Sequence, residues 1–230
     1  MESFVTRSLL ITGPSTGAGK TMVARALTAA LRQRGVCVAA LKPIETGVDP
    51  RALDALALAR AAGDPALADF PGAYREPLPL APYAASLERG APAPDLGALV
   101  AAIRVRAAHA DVLLVEGAGG LLAPLDAQLS IADLALRLEL PLALVARDEL
   151  GVISHLLTCA ESARARGLCI AGVVLTRAMP DADASTRTNR RIVQERLACP
   201  VLVLDACPDD DAALAACAER NGLLEGLGLA

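Results

Sequence analysis

Three short segments of this chain combine residue types and spacings that could do chemistry. The first is Gly13-Pro14-Ser15-Thr16-Gly17-Ala18-Gly19-Lys20-Thr21. Small residues let successive backbone N–H groups wrap a phosphate, and a helix that follows aims its N-terminus at the anion. An ammonium such as that of Lys20 bridges terminal phosphates, and a hydroxyl such as that of Thr21 suits Mg²⁺. Gly13, Gly17, Gly19, Lys20 and Thr21 are therefore candidate nucleotide contacts. Five residues separate the first glycine from the Gly-Lys pair, one more than the usual four. Pro14 holds the position where the first glycine of the usual spacing would fall.

The second segment is Leu41-Lys42-Pro43-Ile44-Glu45-Thr46-Gly47. Pro43 disfavours the α region for the residue before it, so a strand ends at Lys42 with the cation projecting beyond it. The third is Val112 to Gly120, an apolar strand that ends in a carboxylate, Glu116, and runs into Gly117-Ala118-Gly119-Gly120. A carboxylate there holds Mg²⁺ directly or through water, and the glycines permit close backbone approach to a ligand. Each group also has a plainer reading. Lys42 could be a solvated strand end, Glu116 a capping or surface acid, and Asp54 either a further metal ligand or simply an acid at a helix start.

Lysine usage favours function. Of 22 basic residues only two, Lys20 and Lys42, are lysine. A chain that uses arginine nearly everywhere keeps lysine where a compact point charge is needed and a planar fork is not. Both lysines follow apolar runs beside Gly- or Pro-containing turns.

These groups need a scaffold, and the hydrophobic pattern supplies one. Short Leu- and Val-rich runs at 8–12, 36–41, 111–116, 142–146, 170–175 and 200–204 read as strands. They alternate with helical stretches at 20–34, 54–62, 96–108, 130–138 (Ser130 as cap), 152–166, 185–197 and 211–220. Prolines interrupt 64–94, which reads as loop with one short helix near 83–88. Alternating strands and helices predict an α/β fold with a mostly parallel sheet and helices on both faces. No repeat, charge block or interior linker divides the 230 residues, so one domain over 1–230 is expected. Ligands of such sheets bind outside the carboxyl ends of the strands, where 13–21, 42–47, 116–120 and 148–154 should converge.

Composition excludes several classes. Net charge is −4 and there is no basic stripe, which argues against a nucleic-acid partner. Mean hydropathy is +0.44, but alanine inflates it, and no apolar run reaches 18 residues, so no membrane span is expected. The opening residues lack a leader pattern. Six scattered cysteines with no C-x-x-C pair, and two distant histidines, read as reduced thiols of a cytoplasmic protein without structural zinc.

Together, GPSTGAGKT, LKPIETG, LDALALA, REPLPLAPYAA, VLLVEGAGGLLAPL and LGVISH resemble the dethiobiotin synthetase family, from about residue 8 to 176. The resemblance implies a P-loop fold and an ATP-dependent ligase. Its substrates would be 7,8-diaminononanoate and CO₂ or bicarbonate, closed to a cyclic urea through a carbamate and a carbamic-phosphoric anhydride. It implies Lys20 on the β- and γ-phosphates, Lys42 between carbamate and γ-phosphoryl, and hydrogen bonds from Thr16 and Thr46. Mg²⁺ would be carried by Thr21, Asp54 and Glu116, with Gly117 beside the substrate and Pro208 lining the base pocket. It further implies a homodimer whose second subunit meets the substrate carboxylate through Gly151, Val152 and Ser154.

Three positions depart from the family pattern. Ser15 replaces an Asp, Ser154 an Asn, and Thr176 the Asn that reads the nucleobase. Two other classes share parts of the pattern. Cobyrinate-type ligases add a glutaminase domain, for which the chain has no room. Partitioning or septum-site ATPase switches of the MinD/ParA type carry an early signature lysine where Ser15 stands, and their membrane-targeting versions end in a basic helix that NGLLEGLGLA lacks.

Overall fold

The computed structural model describes residues 7–177 and 184–230. The start of the chain, read as lacking a leader, falls outside that description for residues 1–6. Six strands form the main sheet: β1 (Leu9–Thr12), β2 (Val38–Leu41), β5 (Val112–Glu116), β6 (Leu142–Arg147), β7 (Ile170–Thr176) and β8 (Val201–Leu204). Their order is β2-β5-β1-β6-β7-β8, and every pairing is parallel.

The expected architecture is present, and its cause is visible in strand burial. All four residues of β1 are buried, as in a parallel strand covered on both faces. Leu9 and Ile11 point into a core shared with Val23, Leu27 and Leu31 of helix α1 (Lys20–Gln33) and Leu214 of α8 (Asp211–Arg220). Leu10 points the other way. Its core holds Ile103 of α4 (Leu96–Ala107), Leu134 and Leu138 of α5 (Ile131–Leu138), Leu156 of α6 (Val152–Ala165) and Val193 of α7 (Thr186–Leu197). Ser130 is the N-cap of α5, as expected, in a capping box with Asp133, whose Oδ2 accepts from the Ser130 N–H at 2.8 Å and hydroxyl at 2.7 Å.

The structure departs from expectation chiefly around the Pro-rich stretch. Ile44–Thr46 (β3) and Tyr74–Glu76 (β4) pair in parallel as a second, two-stranded sheet, although 74–76 falls in the stretch that reads as loop and 44–46 carries no expected element. Three residues are too few to show a period of two, and prolines flank both. The Tyr74 N–H donates to the Pro43 carbonyl at 2.8 Å, which extends the ribbon toward Lys42. The short helix predicted at 83–88 is α3 (Pro82–Arg89), with Pro82 in its first turn, where a missing N–H costs no helical bond. Helix α2 (Leu53–Ala62) lies between β3 and β4 in sequence, and a four-residue helix, α9 (Leu223–Gly226), follows α8 unanticipated.

Candidate active site

The phosphate loop runs from the end of β1 to Lys20, the first residue of α1. Gly19 takes a left-handed conformation, φ 86°, at the helix entry. A Cβ there would come within 2.9 Å of Thr176 Cγ2, so both the conformation and the space call for glycine. Lys20 curls back over the loop and donates from Nζ to the Ser15 carbonyl at 2.8 Å. Burial and then the nearby Lys42 cation lower its pKa to about 8, against the opposing pull of Glu116 and Asp54.

Glu116 is set against this loop by sheet register. It ends β5, directly opposite Ile11 of β1, and the Gly117 N–H donates to the Ile11 carbonyl at 2.9 Å. Its Oε1 accepts from the Thr21 hydroxyl at 2.8 Å and from Lys42 Nζ at 2.5 Å. Its Oε2 is buried without a partner. The glycine turn beyond lies on the phosphate loop itself. The Leu121 N–H donates to the Gly13 carbonyl at 2.8 Å, and a Cβ on Gly120 would sit 2.7 Å from the Pro14 carbonyl oxygen.

Lys42 follows β2, the other neighbour of β5, and so reaches the same carboxylate from a separate turn. Its ammonium also donates to the Gly117 carbonyl at 3.1 Å and lies 3.5 Å from Asp54 Oδ2. Lys42 is 5% exposed and Glu116 1%. Burial lowers the pKa of Lys42, but Glu116 and Asp54 outweigh it and the net shift is upward. Burial pushes the Glu116 carboxyl up, with Asp54 adding to the effect and Lys42 opposing it.

A cleft of about 580 Å³ opens onto these groups, lined among others by Ser15, Thr16, Lys42, Thr46, Asp54 and Gly119. That volume falls in the range of small-molecule sites. Asp54 on the cleft wall and the Thr21 and Glu116 oxygens behind it suit a hard cation. Glu116 Oε2 lacks a partner, Thr21 Oγ1 lies against the same carboxylate, and Asp54 is half-exposed toward the cleft. Among the described residues there is no cluster of three or more His, Cys, Asp or Glu able to hold a metal ion. A sparse oxygen set of this kind matches Mg²⁺, which keeps waters and substrate phosphates in its shell.

The remaining candidates lie further out. Gly151, Val152 and Ser154 form the start of α6. Val152 is buried beside a smaller hollow of about 210 Å³ behind the phosphate loop, whereas Gly151 and Ser154 are exposed and line neither space. Thr176 ends β7 beneath the loop, and its hydroxyl donates to the Ala18 carbonyl at 3.0 Å. Pro208 is exposed in the segment after β8.

Three residues near the site were not candidates from the sequence, although Glu45 and Arg75 lie inside the segments LKPIETG and REPLPLAPYAA. Glu45 is buried at the cleft edge. Arg75 of β4 donates to the Lys42 carbonyl at 3.0 Å and to the Ala68 carbonyl at 2.8 Å, fixing the turn that carries the lysine. Arg147, at the end of β6, donates to the Gly17 carbonyl at 2.8 Å. Each acts by holding backbone, which leaves no recognisable spacing.

A phosphate loop joining the central strand β1 to α1, beside a carboxylate-tipped neighbouring strand, places the protein among the P-loop nucleotide-binding folds. An AAA-domain family matches residues 7–205. Among solved structures, the cell division ATPase MinD of Pyrococcus furiosus superposes with a TM-score of 0.54 at 20% identity, covering 93% of this chain and 97% of that one. Chloroplast FtsY of Physcomitrella patens gives 0.53 at 19%, covering 92% and 64%. At such identities the likeness concerns the fold alone.

Sequence relatives are more specific. The chain is 43% identical over 186 residues to the ATP-dependent dethiobiotin synthetase BioD of Anaeromyxobacter dehalogenans strain 2CP-C, covering 80% of this chain and 82% of the relative. It is 36% identical over 228 residues to the protein of the same name from Mycobacterium sp. strain KMS, covering 95% and 98%. The chain belongs to the ATP-dependent dethiobiotin synthetase family and is an ATP-dependent ligase of that kind.

Proposed function

We propose that the chain acts as one ligase domain that closes a cyclic urea on 7,8-diaminononanoate, using ATP and CO₂ or bicarbonate and giving dethiobiotin. One amine adds to CO₂ and loses a proton to form a carbamate. A carbamate oxygen attacks the γ-phosphorus and ADP departs, leaving a carbamic-phosphoric anhydride. The second amine then attacks the carbamoyl carbon, phosphate leaves, and loss of a proton completes the ring.

The observation that carries this reading is that Lys42, paired with Glu116, lies close enough to Lys20 for each cation to act on the other, although the two come from separate turns. Phosphoryl transfer to a carbamate brings an anion toward an anionic triphosphate, and cations fixed in advance stabilise that approach most in the transition state. Lys20 and the loop N–H groups, with Gly13, Gly17 and Gly19 at the close approaches, hold the β- and γ-phosphates. Lys42 lies between carbamate and γ-phosphoryl, while Thr16 and Thr46 donate hydrogen bonds across the cleft. Gly117 lies beside the substrate. Thr21, Asp54 and Glu116 would hold Mg²⁺, which neutralises phosphate charge when bound.

The same reading gives a cytoplasmic homodimer. The start of α6, with Gly151, Val152 and Ser154, meets the substrate carboxylate in the partner's site; Pro208 lines the base pocket, and Thr176 serves the nucleotide by bracing the phosphate loop at Ala18. Leu150, 79% exposed beside that helix, is suited to burial between subunits. Among the described residues no helix is long and apolar enough to cross a membrane.

Phosphate release from ATP, followed with Mg²⁺ and with diamine and bicarbonate added singly and together, tests the proposal. Release that requires both supports it. Rapid release with neither, or stimulation by a protein partner instead, would replace the ligase reading with a nucleotide switch.

A further inference from the structure

Glu45 performs a task that the chain beside α2 does not. The residue before that helix, Ala52, has no side-chain acceptor, so the first N–H groups of α2 lack a local cap. Glu45 reaches over from β3 and supplies both bonds. Its Oε1 accepts from the Asp54 N–H at 2.9 Å and its Oε2 from the Ala55 N–H at 3.0 Å. A carboxylate is well matched to the positive end of a helix. Glu45 is itself only 7% exposed and is paired in register with Arg75, whose guanidinium fixes the Lys42 turn.

The geometry points to Glu45 as a positioning residue for Asp54, fixing the first turn of α2 so that the Asp54 carboxylate faces Lys42 and the metal position in the cleft. The argument has three links. Asp54 is half-exposed, and among the described residues its side chain has only the 3.5 Å approach to Lys42 to orient it. Its backbone is held instead, at its own N–H, by Glu45. The same ribbon therefore carries Lys42 at one end and sets Asp54 through Glu45, so the cation and the carboxylate are spaced by one rigid piece. Glu45 touches neither phosphate nor metal and acts through Asp54. The inference rests on the proposed role of Asp54 as a Mg²⁺ ligand.

Mn²⁺ binding, followed by paramagnetic resonance on the protein saturated with a non-hydrolysable ATP analogue, tests both levels separately. Glu45→Gln keeps size but leaves one N–H without an acceptor. It should weaken Mn²⁺ binding by about tenfold, the lower end for loss of a group that orients a metal ligand. Metal-free nucleotide affinity should stay within about twofold, because the phosphate loop is untouched. Asp54→Asn should weaken Mn²⁺ at least as much, and adding Glu45→Gln to it should cost nothing further. Glu45→Asp, which keeps the charge on a shorter arm, should fall between wild type and Glu45→Gln. The proposal is overturned if Glu45→Gln lowers thermal stability yet leaves Mn²⁺ affinity intact, or if its effect persists in full beside Asp54→Asn. Unchanged Mn²⁺ binding in Asp54→Asn alone would instead remove the metal role of Asp54.

Discussion

Lys42 Nζ and Glu116 Oε1 lie 2.5 Å apart although 74 residues separate them in the chain. The contact exists because β2 and β5 are adjacent and end at the same level, Leu41 beside Val115. Each charge makes the other's burial tolerable, and together they mark where the phosphate loop meets the open cleft.

Loss of the Lys42 charge should separate binding from turnover. In Lys42→Gln, Lys20 and the loop N–H groups still hold the triphosphate, so nucleotide affinity measured by titration should change only a few-fold. The rate constant for phosphate release should fall by about 10²-fold or more, as for removal of one transition-state charge contact. A kcat within a few-fold of wild type would show that Lys42 does not act on the transferred group.

The same pair predicts a stability pattern. Lys42→Met leaves Glu116 buried with one hydroxyl partner and a nearby like charge, which should cost about 3–5 kcal/mol in denaturant unfolding. Combining it with Glu116→Gln removes the stranded charge and should restore much of that loss. Additive losses in the double variant would mean that the two residues are not energetically coupled.

Nucleotide affinity should depend on pH through Lys20. Its free-protein pKa of about 8 is below the ordinary 10.5, and bound phosphates favour the charged form. Above about pH 8 binding therefore takes up a proton, and affinity should fall by up to about tenfold per pH unit; well below 8 it should be flat. For the unliganded fold the sign is opposite. The penalty of a disfavoured buried charge is full below pH 8 and is relieved as pH rises toward 10.5. Titration calorimetry in buffers of different ionisation enthalpy reads the proton uptake directly, and none at pH 9 would contradict it.

Thr176→Val should weaken all nucleoside triphosphates alike. The hydroxyl donates to the Ala18 carbonyl, and removing it leaves that buried acceptor short of a partner, at about 1–3 kcal/mol. Loosening of the loop is felt through the phosphates, which every nucleotide shares. Weakening confined to ATP would instead assign Thr176 to base reading.

How much of this was legible in the sequence follows from the kind of signal each residue leaves. The phosphate loop is written locally, in glycine spacing between an apolar run and a helix. Lys42 stood out through rarity, and Glu116 through its place at the end of a buried strand. Asp54 could not be separated from an ordinary helix-start acid by its own surroundings; only the family resemblance raised it. Strands β3 and β4 were missed because three residues between prolines carry no periodicity. Glu45 was invisible for a different reason, since its partners are backbone N–H groups on another element, brought near by a turn that leaves no spacing to read.

The strand order divides the labour of the sheet. β1, β2 and β5, all on one side, deliver Lys20, Lys42 and Glu116, while β6, β7 and β8 extend the other side without contributing any of these three groups. That second half instead grips the loop backbone, Arg147 at the Gly17 carbonyl and Thr176 at the Ala18 carbonyl, so it shapes the cradle while the first half supplies its charge.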